Sequence, residues 1–300
     1  MKDSSKKSLL LLHLVVIIYG FTGVLGRLIE MEAVSLVWYR ILFASFSLGA
    51  YMVLTRMSFK METKALLKVA GIGLIVAVHW ITFFYAIKIS NISVALGTFS
   101  VGTLFASILE PLFFKKKIKK LEVVTGLLII IGLYIIFNFE FKYFAGIMVA
   151  ILSAFLATLF TVLNRFFATE EYSPITVSFY EMVAGVLGIT IWMGIKGNLN
   201  SALFEVSSID LFYLMILGVV CTAFAFVLSV WVMRQLSAYT VVLTVNLEPV
   251  YSIVLAQILF PETEKMSFGF YIGTFILLLA VFLFPIVERW SVTRGRSLKS

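Results

Sequence analysis

The 300-residue sequence has few of the side chains that metal or thiol chemistry requires. Cys221 is its only cysteine, which excludes an intrachain disulfide and a thiolate metal cluster. His13 and His79 are its only histidines, so we expect no histidine-based metal site. The phosphate-binding motif G-x-x-x-x-G-K-[ST] and the zinc motif H-E-x-x-H are also absent. The sequence therefore predicts neither a bound cofactor nor nucleotide-driven chemistry.

Charged residues are also scarce. They make up 13% of the chain, against about a quarter in soluble domains, whereas 61% of the residues are hydrophobic. The net charge of +8 does not indicate nucleic-acid binding, because the basic residues lie in short loops between apolar runs and not on one folded face. This composition is typical of a protein that crosses the membrane several times.

Ten apolar segments can be drawn along the chain. The first follows a basic start but is too long for a signal peptide, so we expect it to remain as a membrane helix. Short connections leave no room for a second domain, which predicts one membrane domain over residues 1–300. The segments are residues 9–26, 34–55, 66–89, 92–114, 121–139, 143–168, 173–195, 208–235, 237–260 and 267–290.

The distribution of lysine and arginine predicts the orientation of these segments. With ten spans, 18 of the 24 basic residues fall on the side of both termini and 5 on the other side, with Arg40 inside a span. Positive charge is retained in short cytoplasmic loops. We therefore expect a multi-pass protein of the cell (inner) membrane with both termini in the cytoplasm.

The two halves of the chain resemble each other weakly. A shift of 146 residues places residues 85–93 on 231–239, and a shift of 141 places 34–40 on 175–181. Five spans per half, an odd number, force the halves into opposite orientations, an arrangement common in transporters. The predicted fold is an all-α membrane protein with two inverted five-helix repeats, residues 1–140 and 141–300, around a central cavity.

Residues 236–260 contain the most unusual pair in the chain, Glu248 and Pro249. A carboxylate halfway along a membrane helix indicates a functional site, and the alternative is a packing kink whose acid bonds to a neighbouring helix. The proline lacks an amide hydrogen and releases the carbonyl of Val245, one turn before the acid. A polar stripe on this helix predicts a wet substrate pathway, to which the nearby Asn246 and Tyr251 could add hydrogen bonds. The stripe consists of Thr240, Thr244, Glu248 and Ser252.

Four further residues are candidates for the pathway. His79, beside Trp80, lies near the middle of the third segment, where an imidazole that titrates near pH ~6.5 could carry protons or serve only in packing. Arg40 lies inside the second segment, and its repeat partner is Glu181. A paired or gating role is one hypothesis for these two, and snorkelling of the long side chain to the nearer surface is the alternative.

Small residues predict where helices approach closely. Segment four has a face of small residues suited to close helix packing or a cavity wall. Glu110, near the inner end of that segment, lies beside five lysines, where we expect an exposed ion pair. Gly269 and Gly273 have the G-x-x-x-G spacing of packed membrane helices. The face of segment four consists of Ser93, Gly97, Ser100 and Ser107.

The chain resembles the EamA family of the drug/metabolite transporter superfamily. The resemblance implies two four-helix half-bundles around a central cavity, a peripheral helix per repeat, and export or exchange of amino acids or other small metabolites. The family often has proline in span four where this chain has Thr103, so we expect that span to be straighter than its partner. The resemblance is carried by Tyr19-Gly20, Arg40, residues 154–165, Glu248-Pro249 and residues 260–262.

The sequence therefore predicts a secondary transporter, and not an enzyme, that carries a small metabolite such as an amino acid by alternating access, as an exporter or exchanger. An ion gradient, with protons as the candidate, or substrate exchange would drive it. The predicted partners are the lipid bilayer and the metabolite. Two alternatives are an intramembrane enzyme, which requires converging catalytic groups, and a membrane scaffold, which requires polar residues that face other proteins.

Overall fold

A computed structural model describes residues 3–115, 117, 120–167, 172–280 and 283, and these residues are almost entirely helical. Short 3₁₀ turns cover Phe141–Tyr143 and Ser201–Phe204, and a π-helix covers Ile216–Phe224. The α-helices are α1 Asp3–Gly20, α2 Thr22–Leu28, α3 Ala33–Leu54, α4 Thr63–Ile89, α5 Ile92–Phe99, α6 Gly102–Phe114, α7 Lys120–Phe139, α8 Phe144–Phe167, α9 Pro174–Lys196, α10 Ser208–Met215, α11 Ala225–Val232, α12 Ala238–Val245, α13 Glu248–Leu259 and α14 Phe268–Ala280.

Eight stretches of helix are long and apolar enough to cross a membrane. They coincide with eight of the ten predicted segments. The fifth and tenth segments coincide with the shorter apolar helices Val123–Phe139 and Phe268–Ala280, and residues 281, 282 and 284–290 of the tenth lie outside the described residues. A multi-pass, all-helical membrane protein is confirmed, and the number of ten spans stays a prediction.

The helices of one half pack mainly against helices of the other half. Helix α4 packs on α8 and α9, and the corresponding helices of the other half, α11 and the π-helix, pack on α1 and α3. Helix α5 also packs on α13, and α6 packs on α12. Each of these contacts therefore has a counterpart when the two halves are exchanged.

One end of the bundle gathers the loops that follow α2, α4, α9 and α13. There the amide of Glu30 donates to Asp210 Oδ1 (3.1 Å), and Asn91 Nδ2 donates to the carbonyl of Thr263 (3.1 Å). We call this the acidic end, because Glu30, Asp210 and Glu264 lie there.

The opposite end gathers the loops that follow α3, α6 and α11 and the segment before α9. The Tyr172 hydroxyl accepts from the amide of Glu62 (3.1 Å), and Arg234 Nη2 donates to the Tyr172 carbonyl (2.8 Å). We call this the basic end, since Arg56, Lys117 and Arg234 belong to its loops. The alternation of loops between two ends matches the order of the predicted segments.

Two membrane-length helical stretches, α5–α6 and α12–α13, are each interrupted near the middle, and we call them the broken rods. Helix α5 stops at Phe99 and α6 starts at Gly102, just as α12 stops at Val245 and α13 starts at Glu248. The expectation that span four is straighter than its partner is therefore wrong. The break needs no proline, because Asn246 Nδ2 donates to the carbonyl of Ser100 (3.0 Å) and thereby supplies a hydrogen-bond partner inside the bundle.

Glycine permits the close contact between the fifth and tenth segments. A Cβ on Gly273 would lie 2.7 Å from the Gly132 carbonyl of α7, and a Cβ on Gly269 would lie 2.1 Å from the ring of Phe139. Helix α14 therefore packs on α7 along the face that the G-x-x-x-G spacing predicted.

Candidate functional site

A cavity of about 70 Å³ lies inside the bundle, against the breaks of both rods. This volume accommodates several water molecules, at roughly 10–15 Å³ each by this measure. Helices of both halves form its wall. The polar residues of the wall are Tyr19, Thr22, Arg40, His79, Thr158, Thr161, Ser229, Asn246 and Glu248.

Glu248 enters the cavity at the start of α13. The chain cannot continue α12 into Pro249, so it ends one helix at Val245 and starts another whose first turn contains the proline, where a missing amide hydrogen costs little. The positive end of the α13 dipole therefore lies at the carboxylate, which is 5% exposed. The hydroxyl hydrogen of Thr22 has two acceptors, the Tyr19 carbonyl at 2.7 Å and, more weakly, Glu248 Oε1 at 3.4 Å.

Arg40 provides the opposite charge of the cavity. Its side chain is 2% exposed and points into the bundle, so it does not snorkel to the surface. Nε donates to Thr222 Oγ1 (2.6 Å), and the guanidinium carbon lies 4.1 Å from the ring centroid of Trp80. Thr222 belongs to the π-helix, and its hydroxyl donates to the carbonyl of Leu217, five residues earlier (2.7 Å). The π-helix thus presents the hydroxyl that orients Arg40.

Aromatic and aliphatic side chains line the rest of the cavity. The rings of Trp80 and Phe226 make an edge-to-face contact with their centroids 5.7 Å apart. The ring centroids of His79 and Phe160 are 5.4 Å apart. His79 Nδ1 is fixed by Ser153, whose carbonyl and hydroxyl oxygens are both 3.0 Å away. The wall thus combines an acid and a base with a mostly apolar, aromatic surface.

The second broken rod also directs a helix end at the cavity. Gly102, the first residue of α6, lines the wall, and its carbonyl accepts from Thr158 Oγ1 (3.2 Å). Asn246 Nδ2 donates to Thr103 Oγ1 in addition to the Ser100 carbonyl, which ties the two breaks together. The cavity therefore receives the N-terminal ends of two half-helices, one of which carries the acid.

The structure brings together five of the ten predicted pathway residues. Glu248, Asn246, His79, Trp80 and Arg40 line the cavity. The other five, Pro249, Thr244, Ser252, Tyr251 and Glu181, are absent from its lining.

The break between α12 and α13 divides the predicted polar stripe. Thr244 Oγ1 donates to Thr240 within its own helix (2.8 Å), and Ser252 Oγ donates to the carbonyl of Gly20 on α1 (2.7 Å). Tyr251 is 39% exposed and packs on Gly20. Glu248 is the member of the stripe that reaches the cavity.

Glu181 occupies a separate interior position on α9. Its carboxyl is fully buried, and the side chain of Asn164 is its polar neighbour. It does not contact Arg40, its predicted repeat partner, through any hydrogen bond of the described residues. Its part in the substrate pathway stays a prediction.

Several cavity residues were not predicted, and two of them could have been. Phe226 lies 146 residues after Trp80, the same shift that relates the halves, and the two rings meet in the cavity. Gly102 and Glu248 are likewise 146 residues apart, and each begins a half-helix. The repeat shift, applied to each candidate residue, would have identified both.

The fold and the site define a multi-pass membrane protein with a central polar and aromatic cavity between two similar halves. A family model described as the EamA-like transporter family matches the chain twice, over residues 6–138 and 144–285. The chain belongs to this family, and it is a membrane transporter of the drug/metabolite transporter superfamily. The resemblance seen in the sequence is thereby confirmed, together with the presence of two repeats.

The chain is also similar in fold to a protein of known crystal structure. The two share 14% sequence identity, with a TM-score of 0.71 over 94% of this chain and 99% of the other. A search of curated proteins finds no match.

Proposed function

We propose that this protein is a secondary transporter of a small metabolite such as an amino acid, which it exports or exchanges by alternating access. The observation that carries the proposal is the central cavity, in which Arg40 and Glu248 provide opposite charges beside an aromatic wall. Two buried charges in the middle of a bilayer are energetically costly, and such groups usually mark substrate pathways.

The charges of the cavity suit a zwitterion. An α-amino acid presents a carboxylate to Arg40, whose planar guanidinium suits this group, and an ammonium to Glu248. Trp80 and Phe226 would contact an apolar or aromatic side chain. The substrate replaces part of the hydration that each buried charge needs, so binding favours a ligand with both charges.

We infer that residues 1–140 and 141–300 form two halves of opposite orientation. The rods α5–α6 and α12–α13 support this, because the start of each lies beside the end of the other and their breaks meet at Ser100 and Asn246. These rods are the fourth and ninth of the ten spans that the proposal assumes, equivalent members of the two halves.

A hydrogen-bonded contact at the acidic end would form one gate. Glu264, which is fully buried and follows α13, accepts from the amides of Ile92 and Ser93 at the start of α5 (2.9 Å each). The carboxylate therefore caps a helix of the other half with two charge-assisted hydrogen bonds. Separation of the halves at this end must break both.

The basic end has the corresponding contact. Glu110, 5% exposed near the end of α6, accepts from the amide of Tyr239 at the start of α12. Tyr239 lies 146 residues after Ser93, so the two capped positions are equivalent in the repeats. The expectation that Glu110 is exposed is wrong, because the capping site buries the carboxylate between two helices. Its ion pair with the neighbouring lysines stays a prediction.

We infer from the loop charges that the basic end and both termini lie in the cytoplasm of a cell with an inner membrane. Proton coupling through His79 stays a prediction. The imidazole lines the cavity and so could exchange a proton with bound substrate or water.

The test is counterflow with labelled α-amino acids in vesicles that contain the pure protein. We expect preloaded vesicles to accumulate at least one labelled amino acid faster than vesicles without protein. The unlabelled amino acid should compete, whereas its N-acetyl derivative and its methyl ester should not, since each lacks one charge. Counterflow of no amino acid, or equal competition by both derivatives, would contradict the zwitterion hypothesis.

A further inference from the structure

A second opening of about 750 Å³ lies on the outside of the bundle, away from the central cavity. Its walls come from α1, α3, the start of α9, the π-helix and α11. Along one wall, the lining residues extend from Val219 in the π-helix to Arg234 at the basic end. These residues are 15 positions apart, which corresponds to roughly 22 Å along a helix and spans more than half of a ~30 Å hydrocarbon layer.

The end of the groove nearest the basic loops is cationic. Lys7 of α1 is exposed there, and Arg234 follows α11. Arg234 Nη2 is fixed by the Tyr172 carbonyl, whereas its buried Nε has no hydrogen-bond partner among the residues that the structure describes. The start of α9 at Pro174 also lines this end and adds the positive end of a helix dipole. The described lining contains no acidic residue.

The remainder of the groove is apolar and faces outward. Val219 is 42% exposed and Phe224 is 53% exposed, and both belong to the membrane-length apolar stretch Ser208–Val232. Trp231, between these residues and Arg234, is 37% exposed, as expected for an aromatic side chain at the level of lipid headgroups. The groove is thus cationic at the membrane surface and apolar below it.

We propose that this groove binds an acidic phospholipid of the leaflet at the basic end. The phosphate would lie between Lys7 and the fixed guanidinium of Arg234, and an acyl chain would follow the apolar wall past Phe224. Arginine suits phosphate because its planar group offers several donors. A zwitterionic lipid is disfavoured because the described lining offers no acid to its ammonium group. Basic pockets between membrane helices on the cytoplasmic side bind anionic headgroups.

The experiment is native mass spectrometry of the full chain in micelles with equal amounts of phosphatidylglycerol and phosphatidylcholine. We expect the parent to retain phosphatidylglycerol at least tenfold over phosphatidylcholine. The double variant Lys7→Gln/Arg234→Gln should lose most of this preference. The matched control Lys60→Gln/Lys117→Gln removes the same charge from exposed positions of the basic end and should keep it.

Two further variants and a soluble competitor separate the contributions of the acyl chain and the headgroup to lipid binding. Ala223→Phe places a ring in the apolar part of the groove and should lower phosphatidylglycerol retention at unchanged headgroup charges. Glycerol 3-phosphate, which has the headgroup but no acyl chain, should not displace the lipid at millimolar concentration. Lys7→Gln alone, at an exposed side chain, should give an intermediate loss if Arg234→Gln prevents folding.

Three results would overturn the proposal. They are parental retention by the double variant Lys7→Gln/Arg234→Gln, equal retention of the two lipids by the parent, and displacement by glycerol 3-phosphate. The last result would identify a site for soluble anions. Parental retention by Ala223→Phe would remove the acyl chain from the groove and leave a surface attraction only.

Discussion

Replacement of Glu248 by glutamine is expected to reduce substrate flux in reconstituted vesicles at least tenfold, or roughly 1.4 kcal/mol of activation free energy. The change keeps the size and one carbonyl acceptor, so the hydroxyl of Thr22 retains a partner. It removes the charge that would face the substrate's ammonium group. Thermal stability should equal or exceed that of the parent, since an intramembrane charge is costly.

The matched control is Glu140→Gln. Glu140 is 1% exposed and accepts from the amide of Ser267, and it does not line the cavity. Removal of this buried charge should leave flux within about twofold of the parent. Flux near the parental value in a folded Glu248→Gln protein would eliminate Glu248 as the substrate contact.

Replacement of Gly73 by alanine should have the largest effect on stability. A Cβ at this position of α4 would lie 2.3 Å from the carbonyl oxygen and 2.7 Å from the Cα of Glu181 on α9. Both atoms are backbone, so no side-chain rotation relieves the clash, and the helices must separate. Overpacking of this kind costs about 1–3 kcal/mol, and we expect the apparent unfolding temperature to fall by about 5 °C.

Gly71→Ala provides the control for this variant. Gly71 lies on the same helix, and a Cβ there would have no heavy atom within 4 Å. The two variants gain the same helix propensity, so the difference between their unfolding temperatures measures the contact of α4 with α9. Equal unfolding temperatures would show that the two helices do not pack as closely as described.

The arrangement of apolar segments and the importance of Glu248 could be read from the sequence, because both follow from local properties. A membrane-length apolar run predicts a membrane-spanning helix. An acid within such a helix is energetically costly, which indicates a functional site. The repeat shift of 146 residues even relates Trp80 to Phe226 and Gly102 to Glu248. Equivalent positions in two halves meet near the middle of the bundle, which explains why one shift finds several cavity residues.

The features that could not be read from the sequence depend on contacts between residues that are far apart along the chain. Glu110 lies beside a run of lysines, yet its carboxylate caps α12, which begins 128 residues later along the chain. The break in span four is stabilised by a hydrogen bond from Asn246, which lies in the break of span nine. The orientation of Arg40 depends on a π-helix, a feature without a clear signal in residues 216–224. Each of these requires knowledge of which helices are neighbours.

In the proposed mechanism, the cavity opens to each end in turn as one of the two capping contacts separates. A single cysteine at Ser229, which is 6% exposed and lines the cavity, would report this opening in a Cys221→Ser background. Its labelling by an impermeant thiol reagent is measured in right-side-out and inside-out vesicles. Glu264→Gln and Glu110→Gln, added separately, weaken one cap each.

We expect Glu264→Gln to accelerate labelling about tenfold from the acidic end only, and Glu110→Gln to accelerate it from the basic end only. A charge-assisted hydrogen bond is worth roughly 1.5–3 kcal/mol, which is enough for this change in the population of the open state. Substrate should slow labelling from both ends. Acceleration from both ends by either variant, or from neither end by both, would contradict the proposed mechanism.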